Sequence, residues 1–309
     1  MFARILVPLD GSPLAEAILP EVMDLATLHG AEILLLRVAL VYALPGVDQT
    51  EAQVRAVGEA EAYLAEIERR LAAQGLPVRG AVRYGRAVEE ILDHAESQRA
   101  DLIAMSTHGR SGIRRFMLGS VAEAVVRAAP VPVLLLRGRT LAVRQEAGVP
   151  AAPRPRPAEL AAPSIHHILC PVDFSETSER AMEYAGDLAQ RFGADLTVLH
   201  VVYDPLDITC SHIPHPPLEQ LREEMVREAE HTLHGQVHRA LRFLPRAKTA
   251  VVAGPPFRQI VRYAREHHVD LIVMGTQGLR GLDRLIMGST AERVVRTAPC
   301  PVVTIRAAA

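Results

Sequence analysis

The sequence predicts an α/β protein with two parallel, doubly wound domains, and three observations support this class. The chain has 309 residues, which is enough for two domains of ordinary size. One long segment of the sequence is written twice. Within each copy, short apolar runs alternate with segments of helical period, and this alternation predicts parallel strands joined by right-handed helical crossovers.

The repeat is visible in matching segments along both copies. "RILVPLDGS" at Arg4–Ser12 returns as "HILCPVDFS" at His167–Ser175, so that position 4 matches 167 with an offset of 163. "ADLIAMSTHG" at 100–109 returns as "VDLIVMGTQG" at 269–278, with an offset of 169. The second copy has therefore gained the difference of six residues in the loop after its second strand, around "CSHIPHPP".

The segment between the copies differs from both in composition. "VPAAPRPRPAELAAPS" at Val149–Ser164 is rich in Ala and Pro and has few large apolar side chains, which is typical of a semi-extended linker. The sequence thus predicts a first domain at 1–138, a linker at 139–164 and a second domain at 165–309.

The elements of the first copy can be predicted in chain order. "RILVPL" and "EILLLRV" are continuous apolar strands, as expected for a sheet that is buried on both faces, and "AVRYG", "ADLIAMS" and "VPVLLLR" are further strands. "PLAEAILPEVMDLATLHG" is a helix with Pro13 in its first turn and Gly30 just after its end, and Pro20 should kink or break it. "EAEAYLAEIERRLAAQG" is a helix that ends at Gly75.

Composition argues against several classes of protein. The apolar fraction of 49% is ample for packed cores, and the net charge of −2 argues against a general nucleic-acid binder. No apolar run reaches the ~18 residues of a membrane span, and no signal peptide is evident. The three cysteines suggest no disulfide framework, so we expect a cytoplasmic protein that binds neither nucleic acid nor membrane.

Three segments of each copy fall at the carboxyl ends of the strands, where doubly wound sheets bind ligands. One follows strand one, one ends strand two, and the third is a glycine-rich loop after strand four. In the second copy this loop has the spacing Gly275-x2-Gly278-x9-Gly288-Ser289, which is neither a Walker A loop nor the dinucleotide GxGxxG fingerprint. An amphipathic helix starts at its end, and a helix N-terminus suits an anion such as phosphate.

Each copy resembles a domain of the universal stress protein family, and the two copies together resemble a tandem universal stress protein. The most specific feature is the family's ATP-binding pattern G-x2-G-x9-G-[S/T], which the second loop fulfils. The resemblance implies two Rossmann-like domains, each with a five-stranded parallel sheet, ATP across the strand ends and a divalent cation such as Mg²⁺ at the phosphates. It also implies a role in stress response or signalling through nucleotide-dependent conformation or partner binding.

The resemblance further implies which residues contact the ligand. In the second copy, Asp173 and Val201 would line the adenosine side, and the glycine loop would surround the ribose and phosphates. The set for the second copy is Pro171, Val172, Asp173, Val201, Met274, Gly275, Gly278, Leu279, Gly288, Ser289 and Thr290. The set for the first copy is Pro8, Leu9, Asp10, Val38, Met105, Ser106, Gly109, Arg110, Gly119, Ser120 and Val121.

The first copy departs from the pattern at Ser106, which stands where the second copy has Gly275. If the backbone has φ > 0 there, a residue other than glycine costs on the order of 1 kcal/mol or more. The opposing possibility is that the Ser106 hydroxyl donates a hydrogen bond to the ligand and recovers this loss. We expect the second copy to bind ATP more tightly.

Structural interpretations of the same residues stay open. Glycine loops also serve as plain connectors, and Asp10 and Asp173 are suitable helix caps. Ser289-x-x-Glu292 has the pattern of a capping box, and Ser120-x-x-Glu123 repeats it in the first copy. Loop arginines neutralise phosphates or are simply solvated, and these are Arg110, Arg114, Arg115, Arg280 and Arg284.

Neither a metal site nor a catalytic motif is predicted. Cys210, His212 and His215 lie close together, but a structural zinc site needs four ligands at characteristic spacing. We find no GxSxG, no HExxH and no Walker lysine, so we expect ATP binding with at most weak ATPase activity and an unknown protein partner. The alternatives are a slow ATP-hydrolysing enzyme, which phosphate release would reveal, and an interaction scaffold that carries no nucleotide.

The last strand of each copy, "VPVLLLR" and "CPVVTIR", is strongly apolar and is predicted to form a sheet edge, which invites pairing. The family resemblance implies that such strands pair across a two-fold axis, so we predict an intramolecular pseudo-dimer and leave further homodimerisation open. The separated second copy should then dimerise at high micromolar concentration in sedimentation experiments. A monomer whose last strand exchanges its amides rapidly contradicts the prediction.

Overall fold

The computed structural model describes residues 2–39, 49–107, 118–137, 165–203, 216–277 and 287–306. The chain divides into two compact units, Met1–Ser164 and Ile165–Ala309. The predicted linker at 139–164 lies outside the described residues, and so do Cys210, His212 and His215.

The first unit is a doubly wound α/β fold with five parallel strands. The strand order is β3-β2-β1-β4-β5, so that the direction of winding reverses between β1 and β4. The elements are β1 (Arg4–Pro8), α1 (Pro13–Glu16), α2 (Leu19–His29), β2 (Glu32–Ala39), α3 (Gln49–Ala72), β3 (Val78–Tyr84), α4 (Ala87–Ser97), β4 (Leu102–Ser106), α5 (Ser120–Ala128) and β5 (Val133–Leu136).

The second unit repeats this architecture with the strand order β10-β9-β6-β7-β8, again parallel throughout. Its first helix is one continuous element. The elements are β6 (His167–Val172), α6 (Glu176–Phe192), β7 (Asp195–Val202), α7 (Pro216–Ala240), β8 (Lys248–Ala253), α8 (Pro256–Glu266), β9 (Leu271–Gly275), α9 (Ser289–Thr297) and β10 (Val302–Ile305).

The predicted fold class is confirmed, and the burial of the central strands explains it. Ile5 and Leu6 in β1 and Ile168 and Leu169 in β6 have no exposed surface, because helices cover both faces of a doubly wound sheet. Cys170 is buried among them, and this burial raises the pKa of its thiol well above the usual range. The thiol therefore packs as a small apolar group.

The break predicted at Pro20 is confirmed. Helix α1 ends at Glu16, and Pro20 is the second residue of the separate helix α2. The N–H groups of a first turn have no acceptor within the helix, so proline costs no helical hydrogen bond at this position. Gly30 ends α2 in the left-handed region with φ of 62°. In the second unit Glu183 stands at the position of Pro20, and α6 continues without interruption.

The helix α6 approaches the end of α7 at Gly186. A methyl group added at Gly186 would collide with the buried side chain of Leu241 and lie 3.2 Å from Cζ of Phe243. At Gly235 in α7, an added methyl group would meet no atom within 4 Å. Close packing therefore requires glycine at the first position and not at the second.

We predict that Gly186→Ala lowers the free energy of unfolding of the second unit by about 1–3 kcal/mol, because the added methyl overpacks the helix contact. Gly235→Ala should instead raise it by about 0.5–1 kcal/mol, since alanine is the better helix former. Denaturant unfolding of the two variants measures both values. Equal effects of the two substitutions would show that the contact is unimportant.

Candidate functional site

The predicted ligand edge lies at the topological switch point of each unit. β1 and β4 are neighbours and end at Pro8 and Ser106, while β6 and β9 are neighbours and end at Val172 and Gly275. Because the strands are parallel, their carboxyl ends lie along one edge of each sheet. A crevice at this edge, where the winding reverses, is the usual ligand site of such folds.

Aspartate forms a tight turn after the first strand of each unit. Oδ1 of Asp173 accepts hydrogen bonds from the N–H of Ser175 at 3.1 Å and from its hydroxyl at 2.5 Å. Oδ1 of Asp10 accepts the equivalent bonds from Ser12 at 2.9 and 2.6 Å. The aspartates are thus fixed by their own turn, as is typical of Asx turns.

The interpretation of Asp10 and Asp173 as helix caps is wrong. The N-cap residues of α1 and α6 are Ser12 and Ser175, and their hydroxyl oxygens accept from the amide three residues later. Asp10 and Asp173 lie two residues before the caps and remain half-buried at the sheet edge.

The second strand contributes Val38 in the first unit and Val201 in the second. Each is the penultimate residue of its strand, and each is half-buried. Val38 pairs with Arg83 of β3, and Val201 pairs with Val252 of β8, so both backbones are held by the sheet.

Backbone hydrogen bonds close the glycine loop of the second unit at its base. The N–H of Thr276 donates to the carbonyl of Ile305 at 2.8 Å, and the carbonyl of Thr276 accepts from the N–H of Gly288 at 2.8 Å. The end of β9 and the start of α9 are therefore adjacent. This places Thr276, the residue after Met274 and Gly275, beside Gly288, although 278–286 lies outside the described residues.

The first unit closes its loop in the same way. The N–H of Thr107 donates to Leu136 at 2.9 Å, and its carbonyl accepts from Gly119 at 2.8 Å. A Cβ atom at Gly119 would lie 3.1 Å from that carbonyl oxygen, and one at Gly288 would lie 3.3 Å from the carbonyl oxygen of Thr276. Glycine at the third position of the pattern therefore allows this close approach without a tight Cβ contact.

The predicted capping boxes are not formed. Gly119 and Gly288 are the N-cap residues, neither helix has a side-chain cap, and the serines Ser120 and Ser289 are the first helical residues. Because the threonine carbonyl leaves little room for a Cβ, glycine occupies the N-cap and the serine is displaced by one position. The N–H groups of the first turn are then free of any side-chain acceptor from the cap.

The glutamates of the predicted capping boxes pair with arginines instead. Oε1 of Glu292 lies 2.6 Å from Nη1 of Arg296, and Glu123 forms the equivalent pair with Arg127. Each pair joins residues four apart on one face of its helix. The acid in the first turn is thus neutralised by a neighbour on the same helix.

Gly275 is needed for space and not for an unusual backbone angle. It belongs to β9 and is not among the described residues with positive φ, so the expected backbone cost for Ser106 in β4 does not apply. A Cβ at Gly275 would lie 2.9 Å from Cγ2 of Thr177. In the first unit, Leu14 stands at the position of Thr177, and the side chain of Ser106 is accommodated there in a buried position.

The other predicted residues fall into three groups. Leu9, Val172, Met105 and Met274 have less than a tenth of their surface exposed, and Pro171 is also buried, so these residues belong to the core at the strand ends. Pro8, Val121 and Thr290 are half-buried, and Ser120 and Ser289 are exposed. Gly109, Arg110, Gly278 and Leu279 lie outside the described residues, as do Arg114, Arg115, Arg280 and Arg284.

The structure also brings to this edge residues that the sequence patterns did not single out. Arg37 of β2 donates through Nη1 to the carbonyl of Leu9 at 3.1 Å, and His200 of β7 contacts the carbonyl of Val172 through Nδ1 at 2.9 Å. Arg37 and His200 are equivalent positions of the two copies at the offset of 163. Both are polar residues inside apolar strands, and an alignment of the two copies could have indicated them by this feature.

Within the described residues there is no group of three or more His, Cys, Asp and Glu side chains that could hold a metal ion. Within the same residues, no helix is long and apolar enough to cross a membrane. The described polar groups of the edge include backbone amides, hydroxyls and one aspartate per unit, together with Arg37 in the first unit and His200 in the second.

Comparisons with known proteins agree with this architecture. The model of the universal stress protein family matches residues 1–137 and 164–306. A universal stress protein of Mycolicibacterium smegmatis is 25% identical over 312 residues, which cover 98% of this chain and 96% of that protein. The universal stress protein YxiE of Bacillus subtilis is 30% identical over 144 residues, 45% of this chain and 97% of its own.

A solved structure shares the fold over the full length of the chain. The crystal structure of a universal stress protein from Archaeoglobus fulgidus aligns with a TM-score of 0.69 at 23% identity and covers 99% of both chains. The two matches of the family model fall one in each unit and together span most of the sequence. The chain therefore belongs to the universal stress protein family and carries two of its domains in tandem.

Proposed function

We propose that the protein binds ATP at the carboxyl edge of its second unit and, more weakly, at the equivalent edge of its first unit. The observation that carries this proposal is the closed glycine loop, which holds the uncapped start of α9 beside the end of β9. An uncapped helix N-terminus offers several N–H groups and the positive end of the helix dipole to one anion.

The residues of the edge suit a nucleoside triphosphate better than a small anion. The helix start supplies N–H groups and the exposed Ser289 hydroxyl for phosphate oxygens. Asp173 carries a half-buried carboxylate after β6, at the same edge of the sheet, and the hydroxyls of a ribose could donate to it. The pattern that runs from Gly275 to Ser289 is the one by which the family is known to bind ATP.

Mg²⁺ fits this proposal as an ion that the triphosphate carries. The described residues offer no cluster of three metal-binding side chains, so the phosphates and water would supply most of its ligands. The protein groups named above act on the phosphates directly, through N–H and O–H donors.

The edge favours binding over turnover. The acid in the first turn of α9, Glu292, is paired with Arg296, and Oδ1 of Asp173 is occupied by two hydrogen bonds from Ser175. Because both acids are already engaged in these contacts, we assign neither of them the role of a general base. We therefore propose that ATP acts as a signal that changes conformation or partner binding in a stress response.

ATP hydrolysis by the purified chain should accordingly be slower than ~1 s⁻¹ at saturating MgATP. A phosphate-release assay measures this rate, and mass spectrometry of the ligand released from freshly purified protein identifies what the chain carries. Turnover in the ordinary enzyme range would support the enzymatic alternative. Lack of nucleotide both as purified and after titration would support the scaffold.

The variant Gly288→Asp should weaken ATP binding at the tighter site by about tenfold or more, because its carboxylate lies at the helix start and repels phosphate. Gly119→Asp should remove only the weaker site. Calorimetric titration of both variants with MgATP separates the two affinities.

The controls are Gly288→Ala and Gly119→Ala, which add the same Cβ near the threonine carbonyl but no charge. The difference between the aspartate and the alanine variants reports the electrostatic effect alone. Loss of the tighter site in Gly119→Asp, with Gly288→Asp unaffected, would reverse the assignment of the two sites.

A further inference from the structure

The turn that carries Asp173 is held from both sides by one side chain. Nδ1 of His200 lies 2.9 Å from the carbonyl oxygen of Val172, the residue before Asp173. The ring of His200 stacks on the ring of Phe174, the residue after Asp173, with centroids 4.2 Å apart and planes at 22°. His200 thus contacts both chain neighbours of the aspartate.

The hydrogen bond defines the chemical state of His200. A carbonyl oxygen only accepts, so Nδ1 must carry the proton. Burial, the largest influence, lowers the pKa of His200 below its ordinary value in spite of this bond and the nearby charge of Asp173. The ring is therefore neutral at pH 7, with a proton on Nδ1 that points to Val172.

Phe174 occupies a conformation that its own side chain disfavours. Its φ is +66°, in the left-handed region, which aromatic residues rarely adopt. The first unit has Gly11 at this position, with φ of +78°, and glycine adopts such angles without strain. A strained residue persists where its surroundings hold it, and here the stack on His200 does so.

We propose that Phe174 and His200 are positioning residues that preset the carboxylate of Asp173 for the nucleotide. This inference rests on the proposed function, since it assigns the pair a role in that same site. A turn fixed before binding loses less conformational entropy when the ligand arrives, and affinity rises accordingly.

The first unit has different residues at these two positions. Arg37 replaces His200 and donates to the carbonyl of Leu9 at 3.1 Å, but Gly11 offers no ring for it to stack on. The guanidinium of Arg37 instead lies 5.9 Å from the ring centroid of Tyr63 in α3. The first unit thus has an arginine and a glycine where the second unit has the stacked pair.

A second contact to the aspartate turn also differs between the two units. The backbone N–H of Asp173 donates to the hydroxyl of Ser178 at 3.3 Å, and that hydroxyl donates to the carbonyl of Ser175 at 2.9 Å. In the first unit the equivalent residue is Ala15, which has no hydroxyl. The hydroxyl contact to the turn thus belongs to the unit that we propose to bind ATP more tightly.

The test uses the full chain with Gly119→Asp, so that MgATP titration reports the second site alone. Adding Phe174→Gly should weaken ATP binding by about two- to tenfold, the range expected for the loss of one aromatic stack. The stability of the second unit should not fall in parallel, because glycine also relieves the left-handed strain. An unchanged affinity overturns the proposal, and so does a loss of affinity that merely follows a loss of stability.

Two further variants serve as controls in the same background. Phe174→Tyr keeps the stacked ring and should retain the parent affinity. Tyr263→Ala removes a similar stack, with His267 at 3.9 Å between centroids, near the end of α8 and therefore at the opposite edge of the sheet. It should leave ATP binding unchanged, and a loss equal to that of Phe174→Gly would contradict a local role.

Amide hydrogen exchange without nucleotide separates this inference from the proposed function. Phe174→Gly should accelerate exchange of the Asp173 and Ser175 amides and leave that of Ser12 unchanged. If the parent chain binds no ATP at all, the proposed function fails, and the exchange rates still decide whether the pair fixes the turn. Unchanged exchange at Asp173 and Ser175 overturns the inference in either case.

Discussion

The candidate site of each unit depends on a single backbone residue, Thr107 or Thr276. Its N–H belongs to the hydrogen bonds of the last strand, and its carbonyl holds the glycine that starts the next helix. This pair of bonds fixes the helix start against the sheet edge. The glycine follows from the same constraint, because a Cβ would press on the carbonyl that holds it.

The same constraint explains why serine does not cap the helix. Taken alone, the pattern Ser289-x-x-Glu292 favours a capping box and predicts that the serine caps the helix. The tertiary contact between Gly288 and Thr276 moves the helix start by one residue, so the serine hydroxyl no longer reaches the amide that a cap would satisfy. The position of the helix start is thus determined by a contact between residues twelve positions apart in the sequence, and not by the local pattern.

Other features could be predicted from the sequence because they depend on local or periodic signals. The doubly wound fold follows from alternating apolar and helical segments, and the break at Pro20 follows from the chemistry of proline. The role of Gly275 could not be predicted, because it depends on Thr177, which is far away in the sequence. The stack of Phe174 on His200 was missed for the same reason, since it joins residues of two different strand ends.

Duplication makes each unit a reference for the other. The closed loop, the aspartate turn and the glycine N-cap occur in both, so they are the shared frame of the site. The differences lie around that frame, in the exchange of Gly11 for Phe174 and of Arg37 for His200. Divergence at these positions changes the residues that contact the aspartate turn, while the glycine N-cap is the same in both units.

The ion pair near the start of the helix also occurs in both units. An acid in the first turn stabilises a helix through the dipole, but the same acid would repel a phosphate bound there. Glu292 is neutralised by Arg296, and Glu123 is neutralised by Arg127. Such exposed pairs contribute little to stability, so we attribute to them only a local effect, in which the arginine offsets the negative charge of the acid in the first turn. The backbone amides can then bind an anion without competition from the helix's own acid.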